Sequence, residues 1–303
     1  MKKNIFYYAM ALCLAVCNVA CSSDDGDEPD NTVTLPTAKY ANEAVAYNID
    51  TPVAATDASG YSLKGINFTE SGDAVIEVVD NTGKSQFIVA AYEYANSLFT
   101  LSGNARGTVQ DYTARGTEST TVTISITITI GSQTITFTTT APVPAKAKKS
   151  DETGNTTLDY VARKWNVTGL VLDLEGDVRA FMEFNNGDLN AVANEAIKQG
   201  AKISDKERED FNRNVQNVII DKNGLITIVY TNHDADVADW TWTNDGQMRL
   251  VLKNDDMGNK FFNNNTTISL QFRGTRCVMK FSTKIADGQN YDVALTLRLN
   301  AAQ

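Results

Sequence analysis

Histidine is almost missing: His233 stands alone in 303 residues. Imidazole is the usual proton shuttle and metal ligand near neutral pH, so its scarcity argues against most triad hydrolase and zinc chemistry. Cysteine is scarce where it would matter. Of four, Cys13, Cys17 and Cys21 lie in the first 21 residues and only Cys277 lies beyond them. The body of the chain therefore has no internal disulfide, and its fold rests on core packing. Basic charge is in deficit, with 27 Lys+Arg against 37 Asp+Glu and a net charge of -10. A nucleic-acid partner needs surplus cations to displace counterions from phosphates, and docking on anionic lipid needs a basic face; both classes are disfavoured. The apolar stretch at residues 5–19 is shorter than the roughly 20 residues of a membrane-spanning helix.

What is present begins with an address. Lys2 and Lys3 precede that short apolar stretch, the layout of a signal peptide over residues 1–20; an uncleaved helical anchor is the alternative. Asn18-Val19-Ala20-Cys21 resembles the lipobox of bacterial lipoproteins, with small Ala20 before Cys21, whereas Cys13 and Cys17 follow the bulkier Leu12 and Val16. The resemblance implies cleavage before Cys21 and acylation of its thiol by several chains, palmitate among them, since one chain alone holds only marginally. Cleavage removes two lysines and no acid, which takes the net charge from -10 to -12. Ser22, Ser23, Asp24, Asp25, Asp27 and Glu28 follow directly. That acidic run resembles the export tag of Bacteroidetes surface lipoproteins and implies a lipid-anchored, surface-exposed protein of the outer membrane. It also reads simply as a solvated tether, here residues 21–40.

From Glu43 the chain is a succession of short alternating segments with turn signals, which predicts an all-β fold of two tandem antiparallel meanders, each a barrel or a sandwich. The clearest segment is Thr120–Thr140, where Val122, Ile124, Ile126, Ile128 and Ile130 share one face and Gly131-Ser132 turns the chain. Ala141-Pro142-Val143-Pro144 and the charged run after it mark a linker over 142–157, between an N-terminal domain at 41–141 and a C-terminal domain at 158–303. Few packing contacts are expected between the two halves. The second half carries an insert at 188–215: Asp188 caps a helix with an apolar face of Leu189, Val192, Ala193, Ala196 and Ile197, and Ser204 with Glu207 starts a second short helix reaching about Val215.

The halves repeat one another weakly. Gly72 and Gly224 precede strands, Tyr92-Glu93-Tyr94 matches Trp240-Thr241-Trp242, and Thr121–Ile126 matches Thr267–Phe272, at offsets of 152, 148 and 146 residues. With these turn glycines and strand aromatics, the meander resembles the lipocalin-like and calycin-like lipoproteins of Bacteroidetes. The resemblance implies closed barrels of about eight strands, in which no strand edge is left exposed.

Chemistry is sparse. His233 sits in a turn beside Asp234 and Asp236, and without a Gly-x-Ser-x-Gly elbow no catalytic residue is assigned. Asp234, Asp236, Asp239, Asp245, Asp255 and Asp256 offer hard oxygen ligands, but not at calcium-loop spacing, so no metal or other cofactor is assigned. Trp240 and Trp242 share one strand face, as do Tyr92 and Tyr94. Such aromatics are either barrel core or a surface for stacking a ligand; the ligand-binding candidates are Trp165, Trp240 and Trp242. Cys277, Met279 and Phe281 also share a face, which predicts a buried, inert thiol. The expected function is a non-catalytic surface module that binds a small molecule or glycan and is joined to the membrane by lipid, with no nucleic-acid partner. The alternative is a structural or assembly component of the outer membrane surface with no small-molecule ligand.

Overall fold

The computed structural model describes residues 45–57, 59–110, 121–142, 161–175, 180–198, 212–222, 224–232, 234–242, 248–252, 267–273, 275–286 and 290–302. The signal peptide, Cys21, the acidic tether, residues 143–157 of the linker and His233 lie outside them. The described chain is all-β apart from one helix.

The first meander runs β1 (Val45–Ala54), β2 (Ser62–Phe68), β3 (Asp73–Val79), β4 (Ser85–Ala95), β5 (Leu98–Ser102), β6 (Ala105–Gln110), β7 (Thr121–Ile130) and β8 (Gln133–Pro142). Each strand pairs antiparallel with the next. The alternation in β7 and β8 does what a period of two requires. Val122, Ile124, Ile126, Ile128, Ile135 and Phe137 all face inward and are buried, while the threonines between them face out or lie partly exposed. Among the described residues no ladder joins β8 back to β1. A clasp does so instead: the Thr56 amide donates to the Thr136 carbonyl at 2.9 Å, and the Thr136 amide donates to the Asp57 carboxylate at 3.0 Å. Inside, Phe68 stacks on Phe99 at 3.8 Å between ring centroids, and Tyr47 and Tyr92 meet the same pair edge-on.

The second unit runs β9 (Lys164–Glu175), β10 (Ala180–Asn185), α1 (Leu189–Lys198), β11 (Val215–Ile220), β12 (Leu225–Tyr230), β13 (Asp234–Trp242), β14 (Met248–Leu252), β15 (Thr267–Arg273), β16 (Arg276–Ala286) and β17 (Asn290–Ala301). Here the ladders close. β11 to β17 pair in sequence, β17 pairs along β9, and the first part of β9 pairs with β11 through Lys164, Trp165 and Asn166. The result is a ring of eight strands among the described residues. β10 pairs only with the far part of β9. The expected helix is present, with Leu189, Val192 and Ala193 buried against the barrel. The second helix cannot reach Val215: residues 212 and 213 are bends and Val215 opens β11, while 200–211 lie outside the described residues.

The turn before β3 recurs before β12. Gly72 has φ +81° and Gly224 φ +89°, a left-handed conformation that a side chain resists. The Gly72 carbonyl accepts from the Tyr92 amide at 2.9 Å, and the Gly224 carbonyl from the Trp240 amide at 2.8 Å. The third correspondence fails. Thr121 lies on the seventh strand of the first meander and Thr267 on the sixth of the second ring, so these similar alternating segments occupy different places.

The halves are also joined, against the expectation of few contacts. β4 pairs with β13 through Phe87↔Ala235 and Ile88↔Asp234. Phe87 and Ala235 are 148 residues apart, the same offset as Tyr92 and Trp240, so Phe87 pairs with the residue that corresponds to it in the second half. Val75 and Val89 pack there against Ile219, Val229, Ala235 and Val237. The Asn67 amide donates to the Asp221 carboxylate at 2.6 Å in a buried bond, and Lys164 pairs with buried Asp73 at 2.8 Å. This explains the apolar runs Ala74–Ile76 in β3, Val218–Ile220 in β11 and Ile226–Tyr230 in β12, where both faces are covered.

Candidate functional site

Two of the three tryptophans, Trp165 and Trp240, lie in the interior. Trp165 is fully buried and donates its indole N–H to the Val161 carbonyl at 3.0 Å; buried Trp240 donates to the Leu225 carbonyl at 3.2 Å. Both belong to the packed core of the second barrel, with Cys277 and Met279. The Trp242 side chain lies outside the described residues. Tyr92 and Tyr94 pack into the first core, and the Tyr92 hydroxyl donates to the Thr69 carbonyl at 2.6 Å. Burial pushes the Cys277 thiol up to about 12, so at neutral pH it stays protonated.

The aspartates after β12 do not converge. Asp234 takes the Asn232 amide at 2.7 Å on the surface, Asp236 turns toward Tyr230 and Arg213, and Asp239 alternates to the other face of β13. Asp245, Asp255 and Asp256 lie outside the described residues. No group of three metal-ligating side chains occurs among the described ones.

A polar cleft of about 380 Å³ opens instead where the insert meets the barrel, lined by Asp188, Asn190, Asn194, Asn212, Arg213, Asn214, Ala191 and Thr231. Local chemistry builds its walls. Asn186 (φ 57°) and Gly187 (φ 61°) turn the chain sharply out of β10. A Cβ on Gly187 would come within 2.5 Å of the Val215 carbonyl, so only glycine fits. Asp188 then caps α1, accepting from the Ala191 amide at 2.9 Å. The opposite wall, Asn212 to Asn214, is pinned by the Val215 amide on the Gly187 carbonyl at 3.0 Å and the Thr231 amide on the Asn214 carbonyl at 2.9 Å.

Arg213 forms the floor. Its guanidinium lies 3.8 Å from the Tyr230 ring centroid and 3.6 Å from the Asp236 carboxylate, which also accepts the Tyr230 hydroxyl at 2.5 Å. Burial, and then the Asp236 charge, hold the Tyr230 hydroxyl well above its ordinary pKa. It therefore remains a donor and keeps Asp236 facing the arginine. Above the floor the amides form a chain: Asn194 donates to Asn190 at 3.3 Å, and Asn190 donates to Asn212 at 3.4 Å across the opening. The apolar face of α1 marks it as core in the sequence, and the cleft lies on its other face. The available signal was asparagine at 185, 186, 190, 194, 212 and 214, denser than a merely solvated helix face requires.

Among known proteins, no family model and no curated relative matches the chain. A crystal structure of a "putative outer membrane protein" from Bacteroides fragilis is similar at 9% identity and a TM-score of 0.23, covering 84% of this chain and 94% of that one, a likeness too distant to carry an argument about fold or role.

Proposed function

We propose that this chain is a lipid-anchored protein of the bacterial outer membrane, held by acyl chains on Cys21 and carried to the cell surface by the acidic run Ser22–Glu28. Its second barrel is a non-catalytic module that binds a small molecule or glycan. The anchor reading is supported by a short apolar stretch ending in Ala20-Cys21. One observation carries the binding reading: the polar cleft between α1 and residues 212–214, whose side-chain amides and hydroxyl are groups that hold a ligand by hydrogen bonds. The ligand site therefore moves from the tryptophans to the insert. The packed interiors of both barrels favour the second reading, an assembly component without a ligand.

One preparation tests both. The full chain, purified in detergent, is screened by hydrogen exchange against neutral glycans, acidic glycans, amino acids and nucleosides. Slowed exchange at residues 186–192 and 212–215 supports a binding module; no response to any compound supports the assembly reading. Cys21→Ala is expected to abolish acylation, read by mass spectrometry of the amino terminus. Unchanged acylation would rule out Cys21 as the anchor.

A further inference from the structure

Resting on the reading of the cleft as a binding site, the geometry points to its ligand class: we infer that the cleft takes an uncharged sugar, recognised through its hydroxyl groups by Asn190 and Asn212. At about 380 Å³ it lies near the small end of ligand clefts, which run from about 300 to 1,000 Å³. Size alone suits a short glycan end or a monosaccharide.

Charge selects further. An asparagine carboxamide carries a donor and an acceptor on one flat group, and a sugar hydroxyl carries both as well. Four asparagines and Thr231 line the cleft, so each position can answer a hydroxyl in either sense. An anion wants donors only. The guanidinium that would attract it is buried, sits over the Tyr230 ring and faces Asp236, so its charge is already answered. A cation wants carboxylates, and the Asp188 carboxylate is engaged in capping α1. An apolar ligand would strip water from the amides and give no hydrogen bond in return.

The opening is set to exchange. The bonds from Asn194 to Asn190 and from Asn190 to Asn212 are long and exposed. A ring hydroxyl inserted between α1 and Asn212 would accept from one amide and donate to the other, replacing a weak bond with two shorter ones. The floor would not move, because Arg213 is held there between the Tyr230 ring and Asp236. No aromatic ring is among the described residues lining the cleft, so the described lining offers hydroxyl bonds and no stacking surface. Affinity for a single sugar then falls near the millimolar range, about 4 kcal/mol. On a cell surface, many copies facing a polymer raise it by avidity.

The test uses the full chain in detergent with methyl α-glucoside, methyl β-galactoside and N-acetylglucosamine as neutral probes, and glucuronate and glucosamine as charged ones. At least one neutral probe should slow exchange at residues 186–192 and 212–215, with both charged probes weaker by about tenfold or more. Asn190→Ala with Asn212→Ala should weaken that neutral probe by about tenfold. Both side chains lie at the surface, so the melting temperature should hold; if it falls, the paired Asn190→Ser and Asn212→Ser variant replaces it. A charged probe binding as tightly as the neutral ones overturns the ligand class and leaves the binding module standing. So does a cleft that answers only non-sugars from the wider screen. Neutral binding that survives loss of both amides overturns the residue assignment. Silence from every compound overturns the module itself.

Discussion

The two barrels share a meander and a turn, and differ in how they are finished. The first is plain: eight consecutive strands, an aromatic cluster at its centre and a hydrogen-bonded clasp between Thr56, Asp57 and Thr136. The second closes by ladders through β9, and then spends an insertion, β10 and α1, on its outside. The polar concave site belongs to that insertion. The comparison teaches that the barrel supplies rigidity, and that a departure from the repeating plan supplies a polar concavity.

The largest effect should come from breaking the first core. Phe68→Ala removes the ring that stacks on Phe99 and meets Tyr47 and Tyr92, and should cost about 3–5 kcal/mol in denaturant titration. If the barrels stand on separate cores, the cleft should keep its exchange pattern in the folded variant. A cleft that loosens would show the two halves to be less distinct than their cores.

The join comes next. Asp221→Ala deprives buried Asn67 of its acceptor and removes the carboxylate that caps its own turn at the Leu225 amide, 3.0 Å away. A loss of about 1–3 kcal/mol is expected, and calorimetry should show a broader transition as the halves melt less together. A narrower transition would contradict the join as the source of coupling.

The recurrent turn offers a matched pair. Gly72→Ala and Gly224→Ala each force a side chain into positive φ, at about 1–3 kcal/mol. Nothing packs closely on either site, the nearest atoms being the Tyr92 and Trp240 carbonyls at 4.0 and 3.5 Å. The two costs should therefore agree, and a large inequality would separate turns that look alike.

The smallest effect concerns the clasp. The Asp57 carboxyl is held below its ordinary value of 3.8 by the Ser59 hydroxyl first and also by the Thr136 amide. A lowered folded pKa gives stability that is complete above 3.8 and is lost as pH falls below it. The protection of the Thr136 amide, taken relative to its intrinsic exchange rate, should therefore fall as pH drops below 3.8, while the ladders between β9 and β11 keep theirs. Equal response in both seams would remove this contrast.

Much of the fold was legible because alternation reports one buried face. The β7–β8 hairpin, Asp188 as helix cap and most strands of the second half were readable from residues alone. The join was not, since a strand edge cannot be matched to its partner from local pattern. Its trace was there in Ala74–Ile76, Val218–Ile220 and Ile226–Tyr230, apolar runs too continuous for a sheet with a wet face. Tryptophan misled for a related reason. An aromatic pair at a spacing of two says which face it shares but not whether that face is core, and both described indoles satisfied their N–H groups on nearby backbone carbonyls. The cleft escaped because its walls, at 188–194 and 212–214, are joined by long-range backbone bonds.

The placement of the indoles has an optical consequence. All three tryptophans, Trp165, Trp240 and Trp242, fall in the second barrel, while the first absorbs through tyrosine and phenylalanine only. Excited at the red edge of the absorption band, the protein shines from one barrel alone. Trp165 and Trp240 emit from a dry interior, and soluble quenchers should hardly reach them. The molecule thus carries its own lamp on the side that holds the cleft, and the other side stays dark at that wavelength.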